Sequence, residues 1–166
     1  AVRVLDTKPG MTMGVTGLRP NSKGSSHAEY ADMRHAPAIS PNFLATTEDQ
    51  DCLIHGMKIV RELMNKPAIA KHIVAELNPG HDVQSDAEWL HFARENGQTI
   101  YHPIGTCRMG SDSQAVVDER LRLKGVNGLR VVDASVFPSM VSGNTQGAVM
   151  AVAERASDLI LEDGRD

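Results

Sequence analysis

Tyr101-His102-Pro103-Ile104-Gly105-Thr106-Cys107-Arg108-Met109-Gly110 sets a histidine directly in front of a proline and follows the pair with small residues and two glycines. A residue that precedes proline is biased to the β or polyproline region, so His102 is expected outside any helix, on a stiff stretch of backbone. Such a backbone lets an imidazole point one way. The ordinary pKa of that ring, about 6.5, suits proton transfer near neutrality. His102 is nevertheless one of 7 histidines, and an ordinary loop histidine fits the local sequence as well.

A second unusual stretch lies downstream, and the two are expected to converge on one site. Leu129-Arg130-Val131-Val132-Asp133 reads as a buried strand ending in an acid, continued by Ala134-Ser135. Ser142-Gly143-Asn144-Thr145-Gln146 then opens a helix expected over 145–161, with Val149, Val152, Ala153, Ala156 and Ile160 on its core face. A helix N-terminus presents unsatisfied N–H groups and about half a positive charge, which favours anionic ligand groups. Asn144 fits a helix cap equally well, so local sequence leaves cap and ligand contact level.

Composition narrows the classes of function. A length of 166 residues suits one domain or one large lobe of a larger protein, and 41% hydrophobic content implies a packed core. Aromatic residues make up only 4%, which argues against a surface that stacks nucleic-acid bases. The net charge of −4 gives no phosphate-backbone partner. Cys52 and Cys107 form no C-x-x-C; two free thiols and a single bridge between them both remain open, and the low cysteine use fits a reducing compartment. No apolar run approaches the roughly 20 residues of a membrane span. The sequence begins at Ala1 in a strand-like Ala1-Val2-Arg3-Val4-Leu5, without initiator Met or signal-peptide pattern, as expected of a portion of a longer protein whose targeting segments are not visible here.

Working outward from the two stretches, Met11 to Leu18 reads as a strand. The turn cluster Arg19-Pro20-Asn21-Ser22-Lys23-Gly24-Ser25-Ser26 would lead it into a second hairpin arm at His27-Ala28-Glu29-Tyr30. Residues 31–45 read as irregular, broken by Pro37 and Pro41. Thr47-Glu48-Asp49-Gln50 fits a capping box for a helix with Leu53, Met57, Val60 and Met64 on one face, stopped by Pro67. A short helix is expected over 68–76, ended by Asn78-Pro79-Gly80. Ser85-Asp86-Ala87-Glu88 is a second capping box, opening a helix with Trp89, Leu90, Phe92 and Ala93 and closed by Asn96-Gly97. Short strands are expected at Val116-Val117-Asp118 and Arg120-Leu121-Arg122-Leu123.

Other chemistries find weaker support. No H-E-x-x-H, H-x-H or Cys/His cluster occurs, so no metal ligand is assigned. Cys107 follows His102 by five residues, but sequence neighbours are rarely the spatial pair that nucleophilic catalysis needs, and a small buried thiol explains it.

Three ordered motifs now combine: Tyr101 through Gly110, then Val126-Asn127-Gly128-Leu129-Arg130-Val131-Val132-Asp133-Ala134-Ser135-Val136-Phe137-Pro138, then Ser142-Gly143-Asn144-Thr145-Gln146 with its helix. Together they resemble the C-terminal, substrate-binding part of the glucose–methanol–choline (GMC) oxidoreductases, closest to the choline dehydrogenase and alcohol dehydrogenase branch. Leu18-Arg19-Pro20-Asn21-Ser22-Lys23-Gly24, Ala36 through Leu44 and Asp82 through Asp86 share in the likeness, which runs through nearly the whole chain.

The resemblance implies FAD-dependent oxidation of an alcohol to an aldehyde, with choline the leading substrate. His102 matches the histidine that accepts the hydroxyl proton as hydride moves to flavin N5. Asn144 matches a partner position, Asn or His in the family, that hydrogen-bonds the substrate oxygen. Asp133 and Ala134 match a segment contacting the ribityl and diphosphate region of FAD, and Thr145 and Gln146 the backbone against the pyrimidine end of its ring. The implied fold is α+β, an antiparallel sheet packed with helices. Residues 1–110 would form the substrate-binding region, and 111–166 a strand and helix on the FAD-domain side. One departure stands out: the G-x-G-x-x-G of a dinucleotide fold is absent, and Gly10, Gly14 and Gly17 lack its spacing. The partners expected are therefore a small-molecule alcohol and an N-terminal FAD domain outside this sequence, with no turnover and very weak FAD binding by this chain alone. A cytoplasmic or peripherally membrane-associated bacterial protein is the expected setting. The rivals are a non-catalytic binding domain that keeps the fold and a metal-assisted hydrolase.

Overall fold

The structure, a computed structural model, describes residues 9–164. The strand-like Ala1-Val2-Arg3-Val4-Leu5 and the polar tail at Arg165 lie outside the described residues. The described chain divides into two compact units, one holding residues up to Gly17 with Thr47–Gly97, the other Leu18–Thr46 with the described residues from Gln98 onward.

The first unit is helical: α1 (Thr47–Met64), α2 (Pro67–Ala70) and α3 (Asp86–Asn96), with α2 and α3 both packed on α1. Glu48 and Asp49 complement the positive end of α1, and Arg61 its negative end. The expected stripe of Leu53, Met57, Val60 and Met64 is half-buried, and the fully buried residue is its neighbour Ile54. Arg61 shares this inward side. Its guanidinium lies 4.1 Å from the Trp89 ring centroid. It also forks onto Glu76 at 2.6 and 3.0 Å and donates to the carbonyls of Val83 (2.5 Å) and Gly80 (3.0 Å). Beyond Ala70 the chain therefore winds around Arg61, and the helix expected over 68–76 shortens to one turn with Pro67 at its start.

Helix α3 forms as its sequence predicts. Ser85 Oγ accepts from the Glu88 N–H, and Glu88 Oε2 accepts from the Ser85 N–H at 2.8 Å, a complete capping box. The Gln84 N–H, which also donates to Glu88 Oε2 at 3.0 Å, and next the Ser85 N–H hold the Glu88 carboxyl below its ordinary pKa. Trp89 and Ala93 are its buried residues. Residues 11–18 form no strand. Val15 instead lies against α1 at Gly56, where a Cβ would stand 2.5 Å from Val15 Cγ1.

The second unit contains the only sheet among the described residues, β1 (Ser25–His27) and β2 (Ala38–Ser40), paired antiparallel with Ser26 opposite Ile39. The expected hairpin is thus displaced: the turn cluster runs into its first strand, and the partner comes from the segment read as irregular. Gly24 causes this. A Cβ there would lie 2.1 Å from the Ser40 carbonyl oxygen, so only glycine lets the two backbones meet. Ser22 Oγ accepts from the Ala45 and Thr46 N–H groups at 2.9 and 3.3 Å, tying the same segments together. The α+β expectation holds as helices with a small antiparallel sheet.

The core of this unit is Val117, Leu121, Val136, Phe137 and Ala156, all buried. The strands expected at 116–118 and 120–123, and the buried strand expected at 129–133, are corrected to isolated bridges: Met109 with Val117, Val117 with Leu123, and Arg122 with Arg130. Asp118 explains why no ladder extends. Its Oδ1 accepts from the Arg120 and Arg122 N–H groups at 2.9 Å each, which draws the backbone into a tight turn with Leu121 at φ +63°.

Residues 134–136 wind into a single 3-10 turn, and α4 (Gln146–Asp163) closes the unit. Its inward residues are Val149, Val152, Ala156 and Leu159; Ala153 is exposed, and Ile160 is 48% exposed, against 4% for Leu159. Leu159, three residues after Ala156, continues the Val149–Val152–Ala156 face at helical spacing, and Asp163 ends the same face on Arg120 (2.7 Å), Arg122 and Arg130. Among the described residues no helix is long and apolar enough to cross a membrane.

Candidate active site at His102 and the start of helix α4

Backbone pairing brings the two decisive stretches together. The Cys107 N–H donates to the Ser135 carbonyl at 3.0 Å, and the Met109 N–H to the Val136 carbonyl at 2.8 Å. Just before these bonds Gly105 takes φ +86°, a backbone conformation that strains any side chain. Arg108 and Asp112 brace the far end of the stretch with two hydrogen bonds of 2.9 and 2.6 Å. Arg108, assisted by the Gln114 N–H, holds the Asp112 carboxyl well below the usual carboxylate range. Cys107 is a half-buried free thiol, and Cys52 is an exposed one.

His102 lies in coil and is half-buried, as its place before Pro103 predicts. Tyr101 before it takes φ +63°, left-handed backbone uncommon for a bulky residue, with its N–H donated to Thr99 Oγ1 at 3.0 Å. The imidazole Nδ1 stands 3.2 Å from Thr145 Oγ1. Thr145 is 7% exposed and occupies the N-cap position of α4, yet its side chain makes no capping hydrogen bond. The cap reading of Asn144 therefore falls one residue out of place, since Asn144 precedes the cap. Asn144 and Gln146 are both exposed, on either side of buried Thr145.

Asp133 and Ala134 sit at the 3-10 turn. Asp133 is exposed and caps that turn, its Oδ1 accepting from the Ser135 N–H at 2.7 Å; Ala134 is half-buried against the core. Of the six residues singled out in the sequence, His102 and Thr145 are brought into direct contact. Asp133 and Ala134 belong to the segment that pairs with the His102 stretch, and Asn144 and Gln146 flank the contact.

Two features escaped the sequence. Arg19 Nε donates to Ser142 Oγ at 2.5 Å across 123 residues, bracing the turn before Asn144. No local pattern signals such a bond. The arginines gathered on Asp163 were more accessible, because cations near a helix C-terminus complement its dipole. Arg122, foremost among them, holds the Asp163 carboxyl down at about 2.

Comparison with known proteins resolves what this arrangement belongs to. The family model described as GMC oxidoreductase matches residues 20–153, which include His102, Asp133 and Asn144. The chain belongs to the GMC oxidoreductase family. It is 41% identical over 152 residues to an alcohol dehydrogenase [acceptor] of Pseudomonas putida, covering 92% of this chain and 28% of the relative. It is 39% identical over 151 residues to an oxygen-dependent choline dehydrogenase of Pseudomonas aeruginosa, covering 91% and 27%. Among solved structures, formate oxidase of Aspergillus oryzae RIB40, solved in connection with its FAD modification, superposes with a TM-score of 0.82 at 33% identity, covering 90% of this chain and 26% of that one. This GMC oxidoreductase chain thus spans little more than a quarter of the length of the curated relatives it matches, 28% and 27%.

Proposed function

We propose that this chain supplies the proton-accepting side of the active site in an FAD-dependent oxidoreductase acting on CH–OH groups. The observation that carries the reading is the contact of His102 with Thr145 at the start of an 18-residue helix. It supports the reading because an imidazole stands at the first turn of a helix within the matched family region.

His102 takes the hydroxyl proton of a primary alcohol, choline first among the candidates given the choline dehydrogenase among the relatives. Asn144, exposed beside the contact, donates to the substrate oxygen and orients it. When bound, FAD supplies the hydride acceptor, N5 of its ring. The residues here fit one edge of that group. The first N–H groups of α4 have no intrahelical acceptor, and together with the positive end of an 18-residue helix they suit the electron-rich pyrimidine end of a reduced flavin. Thr145 and Gln146 would offer that backbone, and Asp133 and Ala134 would lie toward the ribityl and diphosphate region. The dinucleotide itself needs the G-x-G-x-x-G domain that this sequence does not contain. In that division residues 1–110 form the substrate-binding region, and 111–166, chiefly α4 and the segment before it, face the FAD domain.

The test is His102→Ala in the FAD-loaded protein that contains this chain together with an FAD domain. Loss of a general base is expected to lower kcat by about 10² to 10⁴ with FAD still bound. Oxidation at a near wild-type rate would leave the chain as a non-catalytic domain that retains the fold.

A further inference from the structure

We propose that Thr145 is a positioning residue: its hydroxyl accepts a hydrogen bond from His102 Nδ1–H, which orients the imidazole and leaves Nε2 as the free base. The inference rests on the proton-acceptor reading of His102 and assigns the side chain that makes it workable. A neutral imidazole has one donor and one acceptor nitrogen, and its partner decides which is which. In the Nε2–H form the ring would meet an alcohol with a donor and could not take its proton from that side.

Three observations favour Thr145 for this task. Its Oγ1 is 3.2 Å from Nδ1, within hydrogen-bonding distance. The hydroxyl is not spent on the helix, because the side chain makes no cap bond although the residue is the N-cap. The residue is 7% exposed and its side chain β-branched, so burial and a stiff χ1 fix where the oxygen sits. The helix it starts is anchored at its other end by Asp163 on three arginines, so the hydroxyl is carried by an element held in place. A hydroxyl can donate or accept, but only acceptance serves the base. Acceptance also survives the reaction: once Nε2 has taken the alcohol's proton, Nδ1–H still donates to the same oxygen, and no rotor need turn.

The experiment is long-range 15N–1H correlation of the imidazole nitrogens in this chain, with His102→Ala identifying the signals. The neutral ring of His102 is expected in the Nδ1–H form. Thr145→Ser should keep it, and Thr145→Val should release it toward Nε2–H. A wild-type ring in the Nε2–H form, or a Thr145→Val ring unchanged in the Nδ1–H form, overturns the proposal. Should Thr145→Val fail to fold, the wild-type and Thr145→Ser spectra decide alone. In the FAD-loaded protein, Thr145→Val is expected to lower kcat about tenfold or more with KM little changed, and Thr145→Ser to restore it. Because the spectrum requires neither FAD nor turnover, the two readings fail separately. An Nε2–H ring beside an inactive His102→Ala enzyme removes only Thr145's role, and an Nδ1–H ring beside an active one removes only the base.

Discussion

Nδ1 of His102 and Oγ1 of Thr145 stand 3.2 Å apart although 43 residues separate them along the chain. The contact marks one end of α4. At the other end Asp163 is gripped by Arg120 at 2.7 Å and by Arg122 and Arg130, while Val149, Val152, Ala156 and Leu159 pack between. The helix is therefore fixed at the site, along its length and at its far terminus. Thr145 takes its placement from that framework, and His102 is brought to it by the pairing of its own stretch with Ser135 and Val136.

Asn144 offers a separation of catalysis from stability. Its side chain is exposed and is not the cap of α4, so Asn144→Ala is expected to change stability by no more than about 0.5 kcal/mol. If Asn144 donates to the substrate oxygen as proposed, the same change in the FAD-loaded protein removes that donor, and kcat/KM is expected to fall about 10²-fold. Asn144→His should recover part of it, since an imidazole N–H can donate from the same place. Steady-state kinetics beside thermal melting of the same samples reads both effects; undiminished kcat/KM in Asn144→Ala would remove this residue from the site.

Arg61 decides the first unit in a way that apolar periodicity does not reveal. Its side chain is only 15% exposed, and Glu76, two carbonyls and the face of Trp89 surround it. Arg61→Met keeps the bulk and removes the charge, leaving the Glu76 carboxylate, 21% exposed, without its partner. We expect a loss of about 2 to 3 kcal/mol, between the values typical of exposed and buried pairs with the ring contact added. Arg61→Lys should be little better, because an ammonium cannot fork onto a carboxylate while lying flat on an indole. Denaturant titration followed by Trp89 fluorescence reports this unit directly, as Trp89 is the sole tryptophan.

What the sequence disclosed follows from the range of the interactions involved. Helix α3 was legible from end to end because Ser85, Glu88 and Gly97 act within one turn of its termini. His102 was legible as a motif, and Pro103 beside it already placed it in coil. The sheet was not, because Gly24 against Ser40 and Ser22 against Ala45 are encounters between segments, without a local signature. Residues 129–133 have the composition of a strand but find one bridge partner, Arg122, since Asp118 has turned the neighbouring backbone away. Ile160 and Leu159 both fit a helical spacing from Ala156, four and three residues on, and only the packed structure shows that Leu159 is the buried one. The resemblance implied a backbone role for Thr145, and the role proposed for its hydroxyl depends on His102 standing beside it, a contact with no local signature.

The Asp163 cluster makes stability depend on pH in a defined window. Arg122 above all, with Arg120, holds the folded carboxyl at about 2, below its ordinary 3.8. A depressed carboxyl binds its proton more readily in the unfolded chain, so its contribution is fully present above about pH 4 and disappears as pH falls through about 2. Glu162 shifts in the same direction through Arg120, and Asp112 through Arg108, so acid weakens the whole second unit. Asp163→Asn isolates one part of this. At neutral pH the variant should melt several degrees below the wild type, because three guanidinium groups lose their shared anion and the end of α4 is released. Between pH 4 and pH 2 the gap should close, since the wild-type residue becomes neutral as well. Melting curves of both proteins at several pH values across that range, at constant ionic strength, provide the measurement. A gap that stays constant down to pH 2 would show that the cluster holds α4 by packing and not by charge.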